Sequence, residues 1–68
     1  MSVGENVRRL RLEAGLSQSE LARLVEVSAP MICQIERGTK SPSFQLGMLL
    51  AAALNCSPEE LSGDARPG

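Results

Sequence analysis

The chain has 68 residues, a formal net charge of −1, two cysteines and no histidine, which indicates one domain near the lower size limit for a core that folds unaided. Two cysteines without histidine are too few for a disulfide scaffold and make a zinc site or another cofactor unexpected. Charges occupy the start of the chain, and its longest apolar block, residues 46–54, is far shorter than a bilayer span, so the sequence predicts a cytoplasmic protein without a signal peptide or a membrane contact.

Two helices are predicted in the first part of the chain from their capping residues and apolar spacing. Ser2 and Glu5 form a capping box for the first helix, which is expected to end at Gly15. Ser17 and Glu20 form a second box that starts the next helix. Three apolar residues of this second helix are predicted to face inward: Leu21, Leu24 and Val25.

Three further helices follow. Ser28 caps a third helix with Pro30 in its first turn, where the missing N–H does no harm, and this helix ends at Gly38. A fourth helix is predicted from Phe44 to Leu54, and a short fifth helix follows its cap at residues 57–61.

No stretch alternates as a strand would, so the predicted fold is all-α with five short helices. Residues 1–62 are expected to form one domain that contains a two-helix hairpin at 17–37, and residues 63–68 a flexible tail or linker remnant. The hairpin helices have about eight to ten residues each, below the ~12–15 residues at which isolated helices become marginally stable. The other helices must therefore hold them and leave one face of the third helix free.

From Val7 through Leu61 the chain resembles the Cro and C1-type repressor domains, the XRE family of helix-turn-helix DNA-binding proteins. The stretches that carry the resemblance are LSQSELARLVEVS, ICQIERG, SPS and LLAAALNCSPEEL. The resemblance implies a lambda-repressor-like fold in which the third helix, residues 28–37, lies in the major groove of double-stranded DNA as the recognition helix.

Base contacts are expected from the outer face of that helix, which turns Ile32 and Ile35 inward. The candidate residues are Ala29, Pro30, Cys33, Gln34 and Arg37. Gln34 is the best candidate, because a side-chain amide pairs bidentately with adenine, whereas the Arg37 guanidinium suits guanine or a phosphate. The face is otherwise apolar, so DNA shape and phosphate contacts are expected to carry much of the affinity. Both Cys33 and Cys56 are interpreted as small apolar fillers rather than redox switches.

Phosphate contacts are expected at the two ends of the hairpin. The candidate residues are Gln18, Ser19, Thr39, Lys40 and Ser41. The free N–H groups at the start of the second helix favour an anion, and the resemblance implies that Gln18 clamps the DNA backbone. After the recognition helix, hydroxyls, N–H groups and the Lys40 cation are expected on the same side. Three arginines are interpreted as solvated charges: Arg8, Arg9 and Arg23.

Two further expectations follow from the family pattern. It pairs Arg11 with Glu36, which would orient the first helix against the recognition helix, and the alternative is a surface ion pair. It also has a glycine where this chain has Glu26. Either the turn differs, or Glu26 adopts a left-handed conformation at a cost of roughly 1 kcal/mol.

The fourth helix departs from the family pattern because it is apolar nearly all round, and Gly47 replaces an expected core residue. A helix that is apolar on every side is normally buried on every side, which a monomer of this size cannot achieve. The sequence therefore predicts a two-fold homodimer. Its interface residues are predicted to be Leu46, Leu49, Asn55, Ser57, Pro58 and Leu61.

The predicted function is a transcriptional regulator, most simply a repressor, that binds a palindromic operator with half-sites about 34 Å apart. A chain that lacks His and Tyr offers no catalytic constellation, so it is not expected to be an enzyme. The alternative is a protein-interaction module, an antitoxin or adaptor, that binds a partner protein through helix 44–54. Both a complete small regulator and the DNA-binding end of a longer one fit the sequence.

Overall fold

The computed structural model describes residues 2–62, which form five α-helices and no strand. The helices are α1 (Val3–Glu13), α2 (Gln18–Leu24), α3 (Ala29–Arg37), α4 (Phe44–Ala53) and α5 (Pro58–Ser62). The predicted all-α fold is confirmed, and α4 ends one residue earlier than predicted. The predicted tail, residues 63–68, lies outside the described residues. Every helix in residues 2–62 is too short or too polar to cross a lipid bilayer.

A serine hydroxyl caps the start of each helix by accepting a hydrogen bond from the backbone N–H three residues later. The capping serines are Ser2, Ser17, Ser28, Ser43 and Ser57. In α2 the Glu20 carboxylate also accepts from the Ser17 N–H at 2.8 Å. That backbone hydrogen bond, with a second from the Ser17 hydroxyl, lowers the pKa of Glu20. Each cap stabilises its helix by ~1 kcal/mol, which matters for helices this short.

Four helices end in the same way, with one left-handed residue followed by a backbone hydrogen bond back into the helix. Gly15 and Gly38 follow α1 and α3 with φ 75° and 85°, and Glu26 and Asn55 follow α2 and α4 with φ 61° and 57°. After Glu26, the Val27 N–H donates to the Ala22 carbonyl at 2.9 Å, the bond that defines a Schellman motif. Glu26 therefore adopts the left-handed conformation expected of the glycine that the family has at this position. This conformation costs a non-glycine residue roughly 1 kcal/mol.

The core lies where the inner faces of the five helices meet. Its buried apolar residues are Val7, Leu21, Ala22, Val25, Ile32, Ile35, Leu50, Ala51, Leu54 and Leu61. The prediction that Leu24 faces inward is wrong, because its side chain is 57% exposed. The inner face of α2 is centred on Leu21, Ala22 and Val25. Because an α-helix has 3.6 residues per turn, Leu24 lies beyond the edge of that face.

Helix α1 makes two contacts that sequence reasoning did not foresee. Gly4 is buried against the end of α3, where an added Cβ would collide with the Ile35 carbonyl oxygen and lie 2.8 Å from that of Glu36. The buried Asn6 side chain donates from Nδ2 to the Leu61 carbonyl at 3.0 Å, which ties α1 to α5. Helix α1 is therefore fixed near its start to both α3 and α5.

The predicted pair between Arg11 and Glu36 ties the other end of α1 to α3. Arg11 Nε lies 2.6 Å from Glu36 Oε2, and Arg11 Nη2 lies 3.1 Å from Glu36 Oε1. A third guanidinium nitrogen, Nη1, donates to the Leu16 carbonyl at 2.9 Å. The two side chains are 9% and 4% exposed, so this is a buried pair and not the surface pair of the alternative interpretation.

Helix α4 is only half covered by the rest of the described chain. Leu50 and Ala51 are buried, whereas Phe44 is 83% and Leu49 51% exposed. A groove of about 400 Å³ runs between α4 and α5. Its apolar lining includes Val3, Pro42, Phe44, Gly47, Met48 and Pro58. Helix α4 therefore has the unpartnered apolar face that the sequence predicts.

Replacing Gly4 by alanine is expected to destabilise the fold by about 1–3 kcal/mol, because the methyl group has no room beside two backbone carbonyls. Gly47→Ala is the matched control, since no atom lies within 4 Å of its Cβ position. That variant should gain about 0.5–1 kcal/mol. Urea unfolding followed by far-ultraviolet circular dichroism measures both, and equal effects would contradict the close approach of α1 and α3.

Removing one partner of the buried ion pair is expected to cost ~3–5 kcal/mol, because the other charge is left without its partner. The double variant Arg11→Met/Glu36→Met removes both charges and should be more stable than Arg11→Met or Glu36→Met alone. The same urea unfolding experiment measures all three. If the double variant is as unstable as the less stable single variant, the loss of stability does not come from leaving one charge unpaired. The ion pair would then stabilise the fold relative to two apolar side chains.

Candidate nucleic-acid interface

Within residues 2–62 the outer surface of α3 is uncovered, because its buried residues all lie on one side of the helix. Ile32 and Ile35 lie in the core. On the opposite side Pro30, Gln34 and Arg37 are exposed. These three residues follow one another at helical spacings of four and three, so their side chains form one continuous strip.

The other two predicted base-contacting residues lie at the margin of this strip. Cys33 is half-buried, carries a free thiol and directly precedes Gln34 in the sequence. Ala29 is half-buried and packs against the core, so it is the least available of the five residues. The exposed strip of α3 therefore consists of Pro30, Gln34 and Arg37, with Cys33 at its margin.

Gln18 is the first residue of α2 and is half-buried. Its side-chain Nε2 donates to Glu36 Oε1 at 3.0 Å, so Gln18 joins the Arg11–Glu36 pair in one cluster. Sequence reasoning treated Gln18 and the ion pair as separate features. Their connection depends on the packing of α2 against α3, which no local pattern shows. The adjacent Ser19 is exposed at the same end of α2.

The loop after α3 folds back onto the end of that helix. The N–H groups of Thr39 and Lys40 point to the Gln34 carbonyl at 3.0 and 3.3 Å, and the Thr39 hydroxyl donates to it at 3.1 Å. The expectation that the N–H groups of Thr39 and Lys40 are free for phosphates is therefore wrong, because both groups point to the Gln34 carbonyl in the last turn of the helix. The side chains of Thr39, Lys40 and Ser41 are all exposed beside α3.

A polar cleft of about 320 Å³ separates the surfaces of α1, α2 and α3. Its lining residues are Arg8, Arg11, Gln18, Cys33, Glu36 and Arg37. The lining contains three arginines and one glutamate, and Arg11 is paired with that glutamate. Arg8 and Arg37 consequently make this face positive in a chain whose net charge is −1. Sequence reasoning had set Arg8 aside as a solvated charge.

This arrangement suits an anionic ligand that also presents hydrogen-bonding edges. Guanidinium groups bind phosphates, and amide side chains pair with base edges. Within residues 2–62 no group of His, Cys, Asp and Glu side chains is placed to hold a metal ion.

Comparisons with known proteins agree with this geometry. The helix-turn-helix family model HTH_3 matches residues 7–61. The repressor protein C2 of Salmonella phage P22 is 36% identical over 59 residues, 87% of this chain and 27% of that protein. Antitoxin PezA of Streptococcus pneumoniae is 32% identical over 62 residues, 91% of this chain and 39% of that protein. The chain thus spans less than half the length of either relative.

A solved structure is also closely similar. The crystal structure of the P22 c2 repressor protein in complex with a synthetic operator superposes with a TM-score of 0.89 at 32% identity. The match covers 96% of this chain and 98% of that chain. Both the match to the family model and the shared fold lead to one conclusion: the chain belongs to the Cro/C1-type (XRE) helix-turn-helix family.

Proposed function

We propose that this chain is the DNA-binding unit of a transcriptional repressor that binds a palindromic operator as a homodimer in the cytoplasm. The observation that carries the proposal is the exposed strip of α3, which presents Gln34 and Arg37 beside a positive cleft. The match to a repressor that was solved with an operator supports the same assignment.

In this proposal α3 enters the major groove with its exposed strip toward the bases. The Gln34 amide pairs with adenine through one donor and one acceptor, and the Arg37 guanidinium binds guanine or a phosphate. Pro30 and Cys33 offer apolar contact to a thymine methyl, and Ala29 contributes at the margin. Since only two side chains read bases by hydrogen bonds, DNA shape supplies a large share of the specificity.

The DNA backbone is held from both sides of α3. Gln18 and Ser19 meet it at the start of α2, where the unpaired N–H groups of a helix N-terminus face outward. On the other side the Lys40 ammonium and the Ser41 hydroxyl contact the next phosphates. The Thr39 hydroxyl donates to the Gln34 carbonyl at 3.1 Å, so Thr39 contacts a phosphate only when that hydroxyl rotates away from the carbonyl. Arg8 joins the contacts because it lines the same cleft as Arg37. Each phosphate neutralised adds ~0.9 to the dependence of log K on log salt.

The exposed face of α4 is the proposed dimer surface. Phe44, Met48 and Leu49 are its large exposed apolar residues. Leu46, Asn55, Ser57 and Pro58, which the sequence predicts in the interface, are assigned to the same surface in this proposal; all four are at least partly exposed. Leu61 no longer belongs to this surface, because its side chain is buried in the core of the same chain. A two-fold axis beside α4 would present one α3 to each half-site, as a palindrome requires.

A second candidate function is a protein-interaction module of the antitoxin kind. The observation in its favour is the same α4 face, where Phe44 is 83% exposed, together with the similarity to an antitoxin. In that case a partner protein, and not a second copy, covers Phe44 and Leu49. The two candidates differ in the ligand that the purified chain binds by itself.

Selection from a pool of random-sequence duplexes tests the proposed function. The native chain should enrich a palindrome whose half-sites are about one helical turn apart. Gln34→Ala should lose preference at one base pair in each half-site, since a bidentate contact discriminates by ~1–3 kcal/mol. Arg23→Ala, an exposed residue of α2 outside both proposed surfaces, is the control and should select the native sequence. A native chain that enriches no sequence would contradict the DNA-binding proposal and favour the protein partner.

Sedimentation equilibrium tests the dimer surface with two leucines of similar exposure. Leu49→Gln should raise the dimer dissociation constant by roughly tenfold or more, because burying a leucine contributes about 1.5–3 kcal/mol. Leu24→Gln is the matched control, since Leu24 is 57% exposed but lies on α2. Its dissociation constant should equal that of the native chain. A dimer that tolerates Leu49→Gln would move the two-fold axis away from α4.

A further inference from the structure

The Glu36 carboxylate binds side chains from two other helices. Its Oε2 accepts from Arg11 Nε at 2.6 Å, and its Oε1 accepts from Arg11 Nη2 at 3.1 Å and Gln18 Nε2 at 3.0 Å. The carboxylate is 4% exposed, so protein groups and not water satisfy it. One buried side chain on α3 therefore holds Arg11 of α1 and Gln18 of α2.

We propose that Glu36 is a positioning residue for DNA-backbone recognition: it orients the Gln18 amide so that this amide donates to a phosphate. The proposal rests on the proposed function and assigns Glu36 a role in binding besides its role in the ion pair. It also links the phosphate contact at the start of α2 to the base contacts of α3.

The orientation follows from the chemistry of the two groups. A carboxylate only accepts hydrogen bonds, so the amide nitrogen of Gln18, and not its oxygen, must face Glu36. That nitrogen carries two hydrogens, and one of them is used by Glu36. The other points about 120° away in the amide plane and is available to an outside acceptor. Phosphate oxygens are acceptors only, so a Gln18 oxygen turned toward them would be repelled.

The tether also reduces the entropy that Gln18 loses on binding. A freely rotating glutamine has many rotamers and must lose most of them when it contacts a ligand. Gln18 is already half-buried and bonded to a buried group before DNA is present. An ordered contact group binds more tightly than the same group in a mobile side chain.

The position of Glu36 in α3 explains why this link affects specificity. Glu36 lies two residues after Gln34 and directly before Arg37. Glu36 therefore fixes the position of a phosphate bound by Gln18 relative to α3, the helix that contacts the bases. The backbone contact can form only where the base-reading strip is also correctly placed.

The test compares Gln18→Ala in two backgrounds, the native chain and the Arg11→Met/Glu36→Met chain, by affinity for the operator that the native chain selects. In the native background the substitution should lower affinity roughly tenfold or more, as expected for a hydrogen bond to a charged group. In the double-methionine background, where Gln18 is untethered, the loss should fall below about threefold. Lys40→Ala is the control, because Lys40 lies outside the cluster and its loss should be the same in both backgrounds.

Equal losses for Gln18→Ala in the two backgrounds would overturn the positioning role and leave the proposed function intact. Failure of the native chain to select any operator would instead overturn the proposed function. These two failures are separate measurements and cannot be confused.

Side-chain amide NMR of the native chain provides a second test that does not depend on the double variant folding. Before DNA is added, one Gln18 Nε2 hydrogen should exchange with water more slowly than those of the exposed Gln34. On addition of the operator the resonance of the other Gln18 hydrogen should shift, while the slow one keeps its bond to Glu36. Gln18 hydrogens that exchange as fast as those of Gln34 in the DNA-free chain would overturn the proposal.

Discussion

The buried carboxylate of Glu36 is the constraint on which the rest of the structure depends. A charge that is 4% exposed is tolerated only when its lone pairs are filled, and here Arg11 and Gln18 fill them. Satisfying this group requires three helices to meet at one place. The cluster is expected to add little stability over an apolar cluster of the same volume. Its hydrogen bonds are made together where α1, α2 and α3 meet. The fold therefore gains a defined geometry for α3, a helix too short to hold its own conformation.

Close packing and the carboxylate act together on α3. Gly4 lets α1 approach the last turn of α3 to a distance at which no other residue fits, and Glu36 lies in that same turn. Ile32 and Ile35 anchor the opposite side of the helix in the core. All of these restraints act on the inner side of α3, so they hold its backbone while, within residues 2–62, its outer strip stays uncovered. The exposed side chains, and not the helix itself, must then lose conformational freedom when the strip meets a ligand.

Local features were predictable from the sequence, and features that depend on helix packing were not. The capping serines and the glycines after α1 and α3 act within three or four residues, so the helix starts and ends could be placed. Gly4 and Asn6 went unnoticed because their contacts lie at least 31 positions away along the chain. Leu24 was misplaced for a related reason: in a helix of seven residues the inner face depends on the angle at which α2 meets the core. The ion pair between Arg11 and Glu36 was predicted from the family pattern and not from the spacing of the two residues.

The distribution of charge connects the cluster to the proposed dimer. Because Arg11 neutralises Glu36, the cations left beside the α3 strip are few, with Arg8, Arg37 and Lys40 the nearest in sequence or in the cleft. Each phosphate contact contributes ~0.9 to the salt dependence, so a single copy gains limited electrostatic affinity for DNA. In the proposed dimer, two copies joined through α4 would double that number and make the second half-site contact effectively intramolecular. The apolar face of α4 and the modest charge of the α3 surface are therefore consistent with each other: weak binding by one copy makes association useful, and the exposed side chains of α4 provide a surface for it.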